Sequence, residues 1–272
     1  MDYDVIVIGG GPIGCAVARD IAAADFRVLV VEEHPAIGVP LRCAGLVSSR
    51  TLQLSRVSPE VIRHKLTGAR VHAPGGEMLK LYGSRVYALA VDRVAFDRDL
   101  AGQAAAAGAE MADSTRAVDL KLIPGGVSVK LRRRGNLDEA KELTCRLVVG
   151  ADGYGSLVAK RLRVLPEGER LPLYAAEAYL PGSEGQIVDI FLGNQVAPGW
   201  FGWVIPTGEG TARIGIGAPR RPYEFLQQLA EKHPGTFRGM RILRCTSGYV
   251  PVYFQHRSYG PDRKSTRLNS SH

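Results

Sequence analysis

"YDVIVIGGGPIGCAVARDIAAADFRVLVVE", residues 3–32, decides the fold. Its first six residues are a continuous apolar run of strand type, and "FRVLVVE" at 26–32 is a second. Between them "CAVARDIAAAD" is Ala-rich with helical spacing. Two unbroken apolar strands joined by a helix predict a βαβ unit in a parallel sheet covered on both faces. The turn into the helix carries Gly9-x-Gly11-x-x-Gly14. Gly9 permits the tight turn, Gly11 lets the backbone approach a pyrophosphate, and Gly14 allows the helix to pack closely on the strand. Cys15 follows at the head of the helix, whose N-terminus favours an anion. Glu32 ends the second strand, 18 residues after Gly14. An acid there accepts hydrogen bonds from a ribose and disfavours a 2′-phosphate, so the expected ligand is FAD or NAD rather than NADP.

The bulk numbers agree with a globular chain. Of 272 residues, 45% are hydrophobic and 23% charged, enough for one large domain or two smaller ones. The net charge of +8 suits an anionic cofactor or an anionic membrane face. Aromatic residues are few and not interleaved with the basic ones, which argues against nucleic-acid binding. The four cysteines, Cys15, Cys43, Cys145 and Cys245, form no CxxC pair and no Cys/His cluster, so neither zinc nor a disulfide framework is expected. That usage predicts a reducing compartment. The start "MDYDV" is not a signal peptide, and no apolar run approaches the ~20 residues of a membrane span. A cytoplasmic location is expected, peripheral at the inner membrane face.

Further along, "VDRVAFDRDLAGQAAAAGAE" predicts a helix from about 92 to 107, ended by Gly108. "GVSVKLRRRGNLDEAKELTCRLVVG" (126–150) reads as strand, solvated hairpin tip and strand. From about 170 the pattern changes to short strands with turn residues between them, which predicts an antiparallel sheet. "PYEFLQQLAEKH" is a helix that Pro234-Gly235 is expected to close. The fold class is therefore α/β, a Rossmann-like parallel sheet with an antiparallel β substrate module. Expected boundaries are 1–65 with 90–165 for the nucleotide-binding domain, and 66–89 with 166–255 for the second. Residues 262–272, "DRKSTRLNSSH", lack period and apolar content, and read as a non-native or disordered tail.

"VVGADGYGS" (148–156) ends a strand in Gly150-Ala151-Asp152-Gly153. The carboxylate can accept from a ribose or ribityl hydroxyl, and Gly153 keeps the backbone close. Following the glycine-rich start by about 140 residues, this motif resembles the second one of para-hydroxybenzoate-hydroxylase-like flavoproteins. That resemblance implies bound FAD, with Arg93 of "VDRVAFDRDLA" at the flavin nucleotide. A surface ion pair between Arg93 and Asp97 is the competing reading. Ala117 is taken into the same cofactor-binding set.

"PAIGVPLRCAGLVS" (35–48), "PGWFGWVIPTGEGTARIGIG" (198–217) and "EKHPG" (231–235) resemble the geranylgeranyl reductase family, with the archaeal lipid reductases nearest in pattern. The likeness covers residues 1 to about 255. It implies an FAD-dependent reductase that saturates double bonds of geranylgeranyl chains on a membrane-lipid precursor. It places Arg42, Cys43, Ala44 and Gly45 against the flavin, and Phe201 and Trp203 along the prenyl channel. The family signature P-x-x-Y-x-W-x-F-P stands here as Pro198, Phe201, Trp203, Ile205 and Pro206, with Tyr replaced by Phe and Phe by Ile. A third FAD motif, Gly-Asp-Ala-Ala, should follow "SGYVPV" (247–252) and is missing, which implies C-terminal truncation and leaves a truncated, inactive flavoprotein fragment as an alternative reading. The external electron donor implied is NAD(P)H or a ferredoxin-like carrier protein. A flavin monooxygenase or halogenase shares this fold, but the halogenase W-x-W-x-I-P segment does not match "WFGWVIP", where two residues separate Trp200 from Trp203.

Cys43 leaves three readings open. It packs against the flavin, it positions substrate, or it donates a proton. Small neighbours suit any of these, because the backbone there must approach a ring closely. Cys43, Trp203 and Phe201 are the candidate catalytic residues.

Overall fold

The computed structural model describes residues 1–135, 140–162 and 168–253. The tail expected at 262–272 lies outside them. The chain divides into two compact units, one built chiefly from residues 1–39 and 97–169, the other from 40–96 and 170–251.

The first unit is founded on the opening stretch. Strand β1 (Tyr3–Ile8) leads into helix α1 (Pro12–Ala22) and strand β2 (Val28–Val31). Residues 5–8 and 28–31 are buried, as unbroken apolar strands in a covered parallel sheet must be. Pro12 opens α1, where its missing N–H costs nothing. β1 and β2 pair in parallel, and β1 also runs parallel to β11 (Ala140–Gly150). β8 (Glu110–Ala112) extends the parallel side beyond β2. Beyond β11, β10 (Gly126–Arg133) and β9 (Thr115–Ile123) are antiparallel, giving the order β8-β2-β1-β11-β10-β9. Ile6, Leu29, Val129 and Cys145 lie in the core of this sheet. The helix expected from 92 to 107 is α3 (Arg93–Ala106), after which Gly108 takes φ +102°. Helix α4 (Leu157–Leu162) follows β11.

The second unit holds two sheets. β3 (Leu46–Val47), β4 (Ile62–Leu66) and β7 (Ala88–Val91) form the smaller, in the order β3-β7-β4. Helix α2 (Ser49–Ser55) lies between β3 and β4 in the chain. The larger sheet uses β5 (Gly68–His72), β6 (Met78–Tyr82), β12 (Gly168–Tyr179), β13 (Ile187–Leu192), β14 (Phe201–Gly208), β15 (Thr211–Gly217) and β16 (Arg241–Tyr253). Their order is β16-β12-β15-β14-β13-β5-β6. It is not wholly antiparallel. β5 runs parallel to β13, which the long excursion between them in sequence allows. Phe191, Val204, Ile214 and Ile216 face helix α5 (Pro222–Lys232), whose Leu226 and Leu229 complete that core. Pro234-Gly235 does not simply close α5. It starts a further short helix, α6 (Pro234–Phe237), because proline fits the first helical position.

Candidate functional site

Each unit carries part of the expected constellation. In the first, Gly9 takes φ +106°, and a methyl group there would strike the Ala151 carbonyl. A methyl group on Gly14 would strike the Gly9 carbonyl. These two positions can only be glycine, and they bring the β1–α1 turn against the end of β11. Gly11 precedes α1 with extended backbone and open space around it. The amides of the first helical turn are thus presented as an anion cradle. That arrangement fits the pyrophosphate of FAD.

Glu32 is engaged with this loop. Its Oε2 accepts from the Gly10 amide at 2.8 Å, and its Oε1 from the His34 amide at 2.9 Å. A carboxylate has further lone pairs, so Glu32 both ties the loop and retains capacity for a hydroxyl. Cys15 is fully buried beneath the turn, its thiol donating to the Gly10 carbonyl at 3.2 Å. Burial, with Asp97 and Glu32 nearby, pushes that thiol up to about 12. Its contribution to a cofactor is therefore through the loop it supports. Asp152 caps α4, where Oδ2 accepts from the Leu157 amide and Oδ1 from Ser156 Oγ, each at 2.6 Å. Gly153 turns with φ +68° into open space. Ala117 is a core residue of β9, opposite Leu131.

The second unit holds the rest. Gly45 takes φ +67°, and any side chain there would meet Arg213, Arg93 and the Val91 carbonyl. Its amide donates to Cys43 Sγ at 3.4 Å, and its carbonyl accepts from the Val91 amide at 2.9 Å. Arg42 and Cys43 are exposed, and Ala44 is half-buried. Arg93 starts α3 with its guanidinium 5.9 Å from the Phe96 ring. Asp92 caps the same helix through the Val94 and Ala95 amides, at 3.0 and 3.1 Å. Burial alone would raise the Asp92 carboxyl, but Arg63 at 2.5 Å and the helix amides hold it below its ordinary value.

One face of the large sheet forms the floor. Trp203 lies over Gly215, where even a methyl group would displace the indole. Phe201 meets Trp203 edge-on at 6.0 Å and stacks on Trp200 at 5.2 Å. A small pocket of about 20 Å³ opens here, with Cys43, Ala44, Trp203, Arg213 and Cys245 among its lining residues. The structure thus brings Cys43 and Trp203 to one cavity. Phe201 is not in its lining and supports Trp203 from beside it.

Arg213 was not apparent as a site residue from the sequence. It is 7% exposed, and its Nη1 donates to the carbonyls of Ala44 at 2.9 Å and Val91 at 2.7 Å. Among the described residues its Nε and the Trp203 indole N–H have no acceptor. Burial works against the charged form of Arg213, opposed by Glu177 and Asp92. Its one signal in the sequence is a charge inside the apolar run "ARIGIG".

Residues 2–209 match the family described as FAD binding domain. Residues 174–250 match the geranylgeranyl reductase catalytic domain. The chain is 32% identical over 265 residues to the digeranylgeranylglycerophospholipid reductase of Methanosarcina acetivorans, covering 92% of this chain and 64% of that protein. Among solved structures, a geranylgeranyl bacteriochlorophyll reductase-like protein from Thermoplasma acidophilum superposes with a TM-score of 0.81 at 26% identity, over 92% of this chain and 66% of that one. Aklavinone-11 hydroxylase, solved with FAD and aklavinone, shares the fold at a TM-score of 0.68 and 20% identity, over 92% and 54% of the two chains. The chain thus spans about two thirds of the length of the reductases it matches. It belongs to the FAD-binding domain family, and its residues 174–250 match the geranylgeranyl reductase catalytic domain.

Proposed function

We propose that this chain is the flavin- and prenyl-binding portion of an FAD-dependent reductase that saturates double bonds of geranylgeranyl chains on a membrane-lipid precursor. The observation that carries the reading is the common cavity of Cys43 and Trp203, the latter on the segment that matches a geranylgeranyl reductase catalytic domain. Related reductases of the same printed name support the lipid as substrate class.

Bound FAD supplies hydride chemistry, with electrons from NAD(P)H or a ferredoxin-like carrier. The chain's own residues set the rest. The Gly9–Gly14 turn and the head of α1 hold the pyrophosphate. Gly45 lets the backbone of the Cys43 loop approach a planar ring. Trp203 offers an aromatic face to an apolar chain and favours positive charge that develops on it. Cys43 Sγ lines the same cavity, where it can pack against the ring system, orient an alkene or hold a proton for the second carbon.

The test is anaerobic incubation of the purified, flavin-loaded chain with reduced flavin and a geranylgeranylated glycerophospholipid, read by mass spectrometry. Stepwise gain of hydrogen pairs is expected. No gain with flavin visibly bound overturns the reading, and product that forms only with oxygen moves the chain to monooxygenase chemistry.

A further inference from the structure

The last strand of the large sheet on one side is β6, and all five of its residues are exposed. Strands with one solvated face alternate apolar and polar residues. β6 does not. Met78, Leu79, Leu81 and Tyr82 are 45%, 59%, 51% and 61% exposed, and Tyr87 adds 50% beyond the turn. Two exposed cations sit among them, Lys80 and Arg85, the latter over the Tyr87 ring at 4.8 Å. A long exposed apolar edge invites a partner.

The register shows where this edge leads. Trp203 lies opposite Ile190 on β13, Ile190 opposite Val71 on β5, and Val71 opposite Leu79 on β6. Directly opposed residues share a face of the sheet. One apolar row therefore runs from the buried indole to exposed Leu79, across three strand spacings, about 14 Å. A neighbouring row joins Val188 to Ala69 and Leu81. The floor of the candidate site is continuous with the apolar edge.

We propose that β6 and the turn after it dock on an anionic lipid surface, so that a prenyl chain held in that surface passes along the Leu79–Trp203 row. This rests on the prenyl reductase reading. Aliphatic side chains flanked by Tyr, Lys and Arg suit the boundary between headgroups and hydrocarbon. Lys80 and Arg85 match the sign of anionic headgroups, as does the net charge of +8. A second copy of the chain is a poorer occupant. Antiparallel pairing of two β6 strands about their midpoint would set Lys80 against Lys80.

The test is co-sedimentation of the whole chain with vesicles of phosphatidylglycerol and phosphatidylcholine, and with phosphatidylcholine alone. Binding to the anionic vesicles that weakens with salt is expected. L79E/L81E and, separately, K80E/R85E should each lower partitioning by about tenfold or more, with an unchanged circular dichroism spectrum. Tyr82→Trp should show emission quenched by brominated lipid. Equal binding by both double variants overturns the proposal. So does a lipid-free dimer that L79E/L81E converts to monomer, which would assign the edge to a second copy. The assay contains no flavin chemistry, so failure of the reductase reading leaves its result standing.

Discussion

Arg213 Nη1 donates to the Ala44 carbonyl at 2.9 Å and so joins β15 to the loop that carries Cys43. The same nitrogen reaches the Val91 carbonyl at 2.7 Å, on the strand that pairs with that loop. A side chain from the middle of the large sheet thus sets the height of the loop above Trp203. Arg213→Met fits the space but leaves two carbonyls without their donor. A loss of about 1–3 kcal/mol in denaturant unfolding is expected, with faster hydrogen exchange at residues 43–47. Unchanged exchange there would mean that the loop holds itself.

The glycine-rich turn predicts a sharper loss. Gly14→Ala drives a methyl group into the Gly9 carbonyl, and the backbone must move because helix and strand are already in contact. Flavin retained through gel filtration, measured at its visible absorption, should fall at least about tenfold, together with about 1–3 kcal/mol of stability. Gly11→Ala, where nothing stands in the way, should cost far less stability.

Thiol accessibility separates the four cysteines. Cys43 and Cys245 are exposed, while Cys15 and Cys145 are buried. Burial raises both buried thiols, Cys15 to about 12, which suppresses the reactive thiolate. Mass spectrometry after native alkylation should show adducts at Cys43 and Cys245 alone. In denaturant all four should react. Rapid native labelling of Cys15 would contradict the packing of α1 on β1.

Asp189 is a buried carboxylate with three polar contacts to two neighbours, Arg70 and His72. It accepts from Arg70 Nε at 2.7 Å and Nη2 at 2.6 Å, and its Oδ1 lies 2.7 Å from His72 Nε2. Asp189→Asn keeps the shape and removes the charge that compensates Arg70. About 3 kcal/mol of destabilisation is expected, at the low end for broken buried pairs because Arg70 reaches solvent. Urea unfolding of the variant checks this.

His233 gives the fold a pH dependence. Its ring packs on Phe191 at 4.7 Å and meets His72 at 5.7 Å. Burial, then His72 and Lys232, hold it below the ordinary histidine value. The unfolded chain therefore binds its proton more readily. The neutral ring's contribution is present above about pH 6.5 and is lost as pH falls through the lower folded value. The thermal midpoint should drop between pH 7 and pH 5, and His233→Gln should flatten that drop. An equal slope in both proteins would assign the effect to other groups.

The chain by itself determined everything that depends on local pattern. Unbroken apolar strands at 3–8 and 26–32 specified a parallel sheet, because a strand covered on both faces has no polar side to show. Gly9 and Gly14 specified the turn, because only glycine fits where backbone meets backbone. Tertiary structure decided what long-range register brings together. Nothing local shows that Glu32 and Asp152 turn their carboxylates to neighbouring amides, or that β5 lies parallel to β13. Arg213 in "ARIGIG" is a charge with no visible reason until the sheet sets it beneath Ala44. Leu79 likewise reads as an ordinary strand residue until three strands of register align it with Trp203. The pairings of β5 with β13, Arg213 with Ala44 and Leu79 with Trp203 join residues more than a hundred positions apart, and no periodicity within either segment can encode them.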